Sequence, residues 1–249
     1  MSVLLWILIL AGGCALLAAL IASGFLILPQ PIRARALPLL VAFAVGALLG
    51  AAFLELLPHA LEDLGAERME ALGLVMLVTI IVVFLLDKYL RRREARALDG
   101  KDSAGPLILI SDGIHKLMDG VVIAAATLTD VSLGLVTVLA VMAHEIPHEL
   151  SKIAVLLQSG FRRLHAFLLN LAVGLFMPAG ALAGALWLQG MEELRPYVLG
   201  VAAALFTYVA LSSLMPELQS RVRARETLVQ LACILAGAGV LFATHHFFH

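Results

Sequence analysis

Apolar runs of about twenty residues alternate with short polar breaks along the whole chain. They cover approximately 3–28, 37–61, 71–90, 106–128, 133–157, 164–188, 197–214 and 228–248. A helix of that length, carrying few charges, matches the hydrocarbon core of a bilayer. The pattern therefore predicts an all-α polytopic membrane protein with eight transmembrane helices, forming one integral-membrane unit over residues 1–249. The first run lacks a basic leading region and is longer than a signal-peptide core, so it reads as a retained helix.

Charge in the connecting segments orients these runs. Arg33 and Arg35 fall in the first loop, and Lys88, Arg91, Arg92, Arg93, Arg96 and Lys101 in or beside the third. Arg162 and Arg163 fall in the fifth, and Arg221, Arg223 and Arg225 in the seventh. The even loops hold only Arg68 and Arg195, among Glu62, Asp63, Glu67, Glu70, Glu192 and Glu193. The positive-inside rule then puts odd loops in the cytoplasm and both termini outside, in a plasma or inner membrane. The strict alternation supports eight spans, since one missed helix would scramble it. The longest loop, 91–105, is basic and is expected to be flexible. Three helices, a polar central pair and three more helices would suit an inverted repeat, although no repeat is visible in the residues.

Composition narrows the field further. At 62% hydrophobic residues the chain exceeds what a soluble domain uses. A net charge of −1 gives no reason to expect a nucleic-acid partner; the expected partner is the lipid bilayer. Cys14 and Cys233 are too few and too far apart for a disulfide framework or a cysteine metal site.

The fourth and fifth runs break the apolar pattern at their middles, with His115-Lys116-Leu117-Met118-Asp119-Gly120 and His144-Glu145-Ile146-Pro147-His148-Glu149. Ionisable groups at such positions are costly unless partnered, and a divalent metal is the obvious partner. A satisfied hydrogen-bond network would account for a lone histidine, but two clusters on consecutive helices favour a metal site between them. Asp112, His115 and Asp119 are three and four residues apart and share a face. His144 and His148 share another, with Glu145 and Glu149 in a second row about 100° round the helix. Pro147 clashes with the carbonyl of Ala143 and is expected to kink the helix beside the ligands, as at transporter ion sites. His115, Asp119, His144 and His148 offer three nitrogens and one oxygen, a set that suits Zn²⁺; Fe²⁺, Mn²⁺, cobalt or Cd²⁺ accept the same donors. Beside such an ion Lys116 has three readings. It gives up its proton, it pairs with Glu145 and fills the place of a second cation, or it turns away and snorkels. The second is favoured.

The two clusters resemble those of the ZIP (Zrt/Irt-like) metal-transporter family, with fourth-helix HNxxDG or HNxxEG and fifth-helix HExxHE or HExxEG motifs. Here they read HKLMDG and HEIPHEL, the second in the form typical of the LIV-1 branch. Residues 46–60 and 205–218 are similar to the family's second and seventh helices. The resemblance implies transport of a divalent metal, with His115, Asp119, His144 and His148 as the primary site. It also implies an elevator or rocking motion of the fourth and fifth helices. Some members have a second metal site, whose positions correspond to Lys116, Asp119, Glu145, His148 and Met177. Lysine in place of the family's asparagine, and methionine in place of a carboxylate, argue for a single metal here. The LIV-1 pattern continues Glu-Leu-Gly-Asp, whereas this chain has Glu149-Leu150-Ser151-Lys152. Lys152 thus lies one turn below His148 and raises the electrostatic cost of exit.

The expected function is movement of a divalent transition metal, zinc first, into the cytoplasm. Glu55, His59 and Glu62 suit a cation-collecting entrance or, nearly as well, a solvated helix end. Asp112 is a candidate exit ligand. Metal ligands must be deprotonated, so transport is expected to weaken at low pH. Gly174, Ala179, Gly180, Ala183 and Gly184 suit close helix packing within the chain or a homodimer interface. His245, His246 and His249 read as a metal-gathering tail or, more plainly, a frayed terminus.

The main rival is an intramembrane zinc metalloprotease using His144-Glu145-Ile146-Pro147-His148 as HExxH. Against it, the aspartate motif precedes HExxH, Pro147 interrupts the ligand pair, and His115 would close the position that a catalytic water needs. The chain is therefore not expected to be an enzyme. A static metal sensor and an exporter are further alternatives; the ligands themselves do not encode direction.

Overall fold

The computed structural model describes residues 2–99, 105–158, 160–219 and 224–248. Lys101, Arg221, Arg223 and His249 lie outside the described residues, as do the side chains of Asp63, Arg96, His245 and His246. Among the described residues all regular structure is helical. Eight passes emerge. They are α1 (Val3–Phe25), α2 (Gln30–Gly50) continuing into α3 (Leu57–Leu64), α4 (Met69–Asp99), α5 (Gly105–Thr129), α6 (Val131–Gln158), α7 (Arg163–Gly174) followed by α8 (Phe176–Leu188), α9 (Arg195–Val209) continuing into α10 (Met215–Gln219), and α11 (Ala224–Phe248).

Seven of these passes are long and apolar enough to cross a membrane. The exception is α5, where any stretch long enough to span contains Asp112, Lys116 and Asp119. The pass that falls short on composition is thus one that carries the chemistry, and it lies packed against α6 and α8.

Three boundaries depart from the sequence expectation. The helix of the third pass runs on to Asp99, so much of the expected flexible loop 91–105 is helical. Its residues are good helix formers, and basic groups near a helix C-terminus complement its dipole. The second pass begins at Gln30, with Pro31 in the first turn where a missing N–H costs nothing; Arg33 and Arg35 therefore ride on helix. The sixth pass is two helices rather than one. Pro178 cannot donate to the carbonyl of Gly174, and the chain turns at Leu175 between α7 and α8.

Proline also explains the two wide turns. Residues Ala51–Leu56 and Ala210–Leu214 are π-helical, and Pro58 and Pro216 follow each two residues later. Each proline ring presses on the carbonyl four residues back, Leu54 or Ser212, inside the widened turn. The second and seventh passes, which occupy matching places in the two outer triples, thus carry the same device. Pro147, by contrast, sits within a continuous α6.

Helices in lipid gain little from apolar burial against each other and associate through close packing. One close approach is α5 on α8. A Cβ on Gly120 would meet the carbonyl of Met177, and one on Gly180 would meet the carbonyl of Leu117. The same reciprocal arrangement joins α2 to α11 through Gly46 and Gly237. Of the small residues expected to line an interface, Gly174, Gly180 and Gly184 are buried within the chain, whereas Ala179 and Ala183 are exposed.

Candidate metal centre

The α5–α6 interface brings the two motifs into register. His115 Nε2 and His144 Nε2 face each other at 3.2 Å. Asp119 Oδ2 lies 3.4 Å from His144 Nε2 and 3.6 Å from His115 Nε2, and Glu145 Oε1 lies 3.8 Å from His115 Nε2. Donors at the corners of a tetrahedron around Zn²⁺, at ~2.0–2.1 Å from the ion, stand roughly 3.3 Å apart. The four separations run from that value up to 3.8 Å. His144 Nδ1 donates to the carbonyl of Ala140 at 3.2 Å, which turns the lone pair of Nε2 toward the centre. Asp119 Oδ2 and Glu145 Oε1 are buried and have no hydrogen-bond partner among the described residues. Buried oxygens of that kind are expected where a cation belongs.

His148 adjoins this group of four, its Nδ1 3.7 Å from the Glu145 Oε1 that also faces His115. Four residues advance an α-helix by about 400°, so His148 sits some 40° round from His144. Its ring lies 5.2 Å from that of His115, and its side chain is 43% exposed. It forms a second donor set with Asp112 and Glu145, whose ligand atoms lie within 4.8 Å of one another.

Two lysines are buried in the same interface. Lys116 Nζ donates to Glu145 Oε2 and, at 2.8 Å, to Glu149 Oε1, and all three side chains are fully buried. Lys152 Nζ donates to Asp112 Oδ1. Asp112, Asp119, Glu145 and Glu149 against Lys116 and Lys152 leave two negative charges when all are ionised. One divalent cation, with the three histidines neutral, balances them.

Met177 is fully buried in the apolar core and does not line the cavity that opens onto the centre. Glu55 is buried in the first π turn, and His59 Nδ1 donates to its backbone carbonyl at 2.8 Å. Glu62 is exposed, so these three residues step from the surface of the second pass into its interior.

A cavity of about 360 Å³ opens onto the centre between α4, α5, α6 and α9. His115, Asp119, His144 and His148 line its inner wall, and Asp87, Arg91 and Glu217 lie further along it toward the ends of α4 and α10. A clasp ties α4 to the ninth helix and its π turn at that mouth. Arg91 Nε donates to both oxygens of Asp87, at 2.8 and 3.0 Å, and Tyr208 Oη donates to Asp87 Oδ2 at 3.0 Å. Arg91 Nη2 also donates to Ser213 Oγ at 3.4 Å. In the sequence Arg91 reads only as a loop charge, and Asp87 has no role there. The available signal was a lone aspartate in an apolar run, four residues before an arginine.

Comparison with known proteins follows the same lines. The family described as "ZIP Zinc transporter" matches residues 1–105 and 96–245. Zinc transporter ZIP13 of Pongo abelii is 32% identical over 219 residues, covering 81% of this chain and 65% of that protein. Zinc transporter ZIP5 of Homo sapiens is 33% identical, covering 91% of this chain and 57% of that protein. Zinc transporter ZIP4 of Homo sapiens is 38% identical over 135 residues, covering 54% of this chain and 20% of that protein. The chain thus spans less than two thirds of the length of each of these relatives.

Proposed function

The chain belongs to the ZIP zinc transporter family, and from that premise we propose that it carries a divalent transition metal, zinc first, across the bilayer into the cytoplasm through a single-metal site between α5 and α6. The observation that carries this reading is the convergence of one ligand atom each from His115, Asp119, His144 and Glu145, all within 4.8 Å of one another. Two imidazoles and two carboxylates suit Zn²⁺, and Cd²⁺, Fe²⁺ and Mn²⁺ are candidate competitors.

The residual charge of the buried cluster supports one ion at a time. The Lys116 ammonium lies between Glu145 and Glu149, where a second cation would meet a charge already in place. The cavity supports a route. It leads from the centre to the ends of α4 and α10, which the positive-inside rule assigns to the cytoplasm. In this reading the described conformation is open inward, and Asp87 and Arg91 hold its mouth. Glu55, His59 and Glu62 form the outer approach. Movement of α5 and α6, carrying the α8 that packs backbone to backbone on α5, against the remaining helices would expose the centre to the other side. Exposed Ala179 and Ala183 on α8 offer a face for a homodimer in a plasma or inner membrane.

The family is one of transporters rather than enzymes, and the protease reading has no support. The direct test is metal uptake into proteoliposomes for Zn²⁺, Cd²⁺, Fe²⁺ and Mn²⁺. Saturable flux with zinc preferred is the expected result. Tight binding without flux of any metal would overturn the proposal.

A further inference from the structure

The second donor set has an occupant of its own. Asp112, Glu145 and His148 bring ligand atoms within 4.8 Å of one another; the ammonium of Lys152 is hydrogen-bonded to Asp112, while that of Lys116 holds the other oxygen of Glu145. We propose that these three residues form an inner cation station in which Lys152 stands in for a divalent ion, so that metal leaving the centre must displace a tethered charge. This rests on the reading of the centre as a transport site and extends it to the exit step.

Three observations support the station. Asp112 and Glu145 are 2% and 0% exposed, and each keeps one carboxylate oxygen without a hydrogen-bond partner among the described residues. His148 lines the open cavity with a side chain 43% exposed, against 2% for His144. His148, one turn beyond His144 on α6, is the member of this set on the cavity wall, so a metal leaving the centre toward the cytoplasm meets the set at His148. Lys152 follows His148 by four residues, one turn further along α6. Its compact charge rides on a flexible four-carbon stem. It can leave Asp112 without any shift of the backbone.

Glu145 is common to both sets. An ion handed from the centre to the station keeps one ligand throughout, and the ammonium returning to Asp112 restores the charge balance behind it. In this scheme Lys152 acts as an internal counter-cation, and the station holds a metal only while Lys152 is displaced.

The test counts bound Cd²⁺ and Zn²⁺ per chain at equilibrium on the full-length protein in detergent micelles. Wild type is expected to hold one ion. Lys152→Gln keeps a donor for Asp112 but removes the charge, and is expected to hold two. Adding Asp112→Asn should return the count to one, whereas adding His144→Ala should remove the centre's ion and spare the new one. Lys152→Met serves as a second variant should the glutamine protein prove polydisperse. A folded Lys152 variant that binds no more metal than wild type overturns the station, as does an extra ion that survives Asp112→Asn. If wild type binds none but Lys152→Gln gains an ion that Asp112→Asn abolishes, the station stands and the transport reading falls. If no variant binds metal, both fall.

Discussion

His115 on α5 and His144 on α6 meet Nε2 to Nε2 at 3.2 Å, so the centre exists only while the two helices keep their register. Neither helix completes the donor set alone. Losing a group that merely orients a ligand typically costs ~10–100-fold in metal affinity. Losing the ligand itself should exceed that. His144→Ala is therefore expected to weaken zinc binding by more than about a hundredfold and to abolish saturable uptake, measured by calorimetry and by flux into proteoliposomes. His148→Ala should be the milder change, because His148 lies outside the group of four.

Lys116 carries a structural load that is separable from metal binding. Its ammonium is fully buried between Glu145 and Glu149. Removing one partner of a buried ion pair costs about 3–5 kcal/mol, since the remaining charge is left uncompensated. Lys116→Met should lower thermal stability in detergent by that amount. Lys116→Met with Glu149→Gln should recover a large part of the loss, because it removes one of the two carboxylates left unpaired. A double variant no more stable than the single one would show that the pairing is not what holds this interface.

The α5–α8 contact makes a sharper packing prediction. Gly180 lies against the backbone of Leu117, and backbone cannot move aside as the end of a side chain can. Gly180→Leu should destabilise the protein by at least the ~1–3 kcal/mol typical of overpacking. Ala183→Leu, on an exposed position of the same helix, should be close to neutral. Thermal unfolding of the two variants side by side checks the contrast.

These sites differ in how far the chain alone reveals them. Helix number follows from the period of the apolar runs, because bilayer thickness sets a length that sequence displays directly. The break at Leu175 and the two π turns depend on prolines at known positions, but which proline bends, widens or leaves a helix continuous is decided by neighbouring helices. Pro147, Pro178, Pro58 and Pro216 give three different outcomes. At the centre, spacing put Asp112, His115 and Asp119 on one face of α5. It did not reveal that Asp112 belongs with Lys152 while His115 and Asp119 belong with His144. That division depends on how the helices cross, as does the clasp of Asp87 with Tyr208, whose residues lie 121 apart in the chain.

Accessibility gives the last prediction, because it tests the cavity and its sidedness together. Ser151 is exposed on the cavity wall beside Pro147 and His148, while Ala126 on α5 is fully buried. Native Cys14 is buried and Cys233 is partly exposed, so Cys233→Ser provides a quiet background. In that background Ser151→Cys should react with a membrane-impermeant thiol reagent applied from the side where α4 ends, and Ala126→Cys should not. Cd²⁺ at the centre should slow the labelling of position 151, since His148 one turn away shares the same wall. Reaction from the opposite side alone would reverse the inward-open assignment. Equal labelling of both cysteines would mean that the cavity does not persist in the membrane.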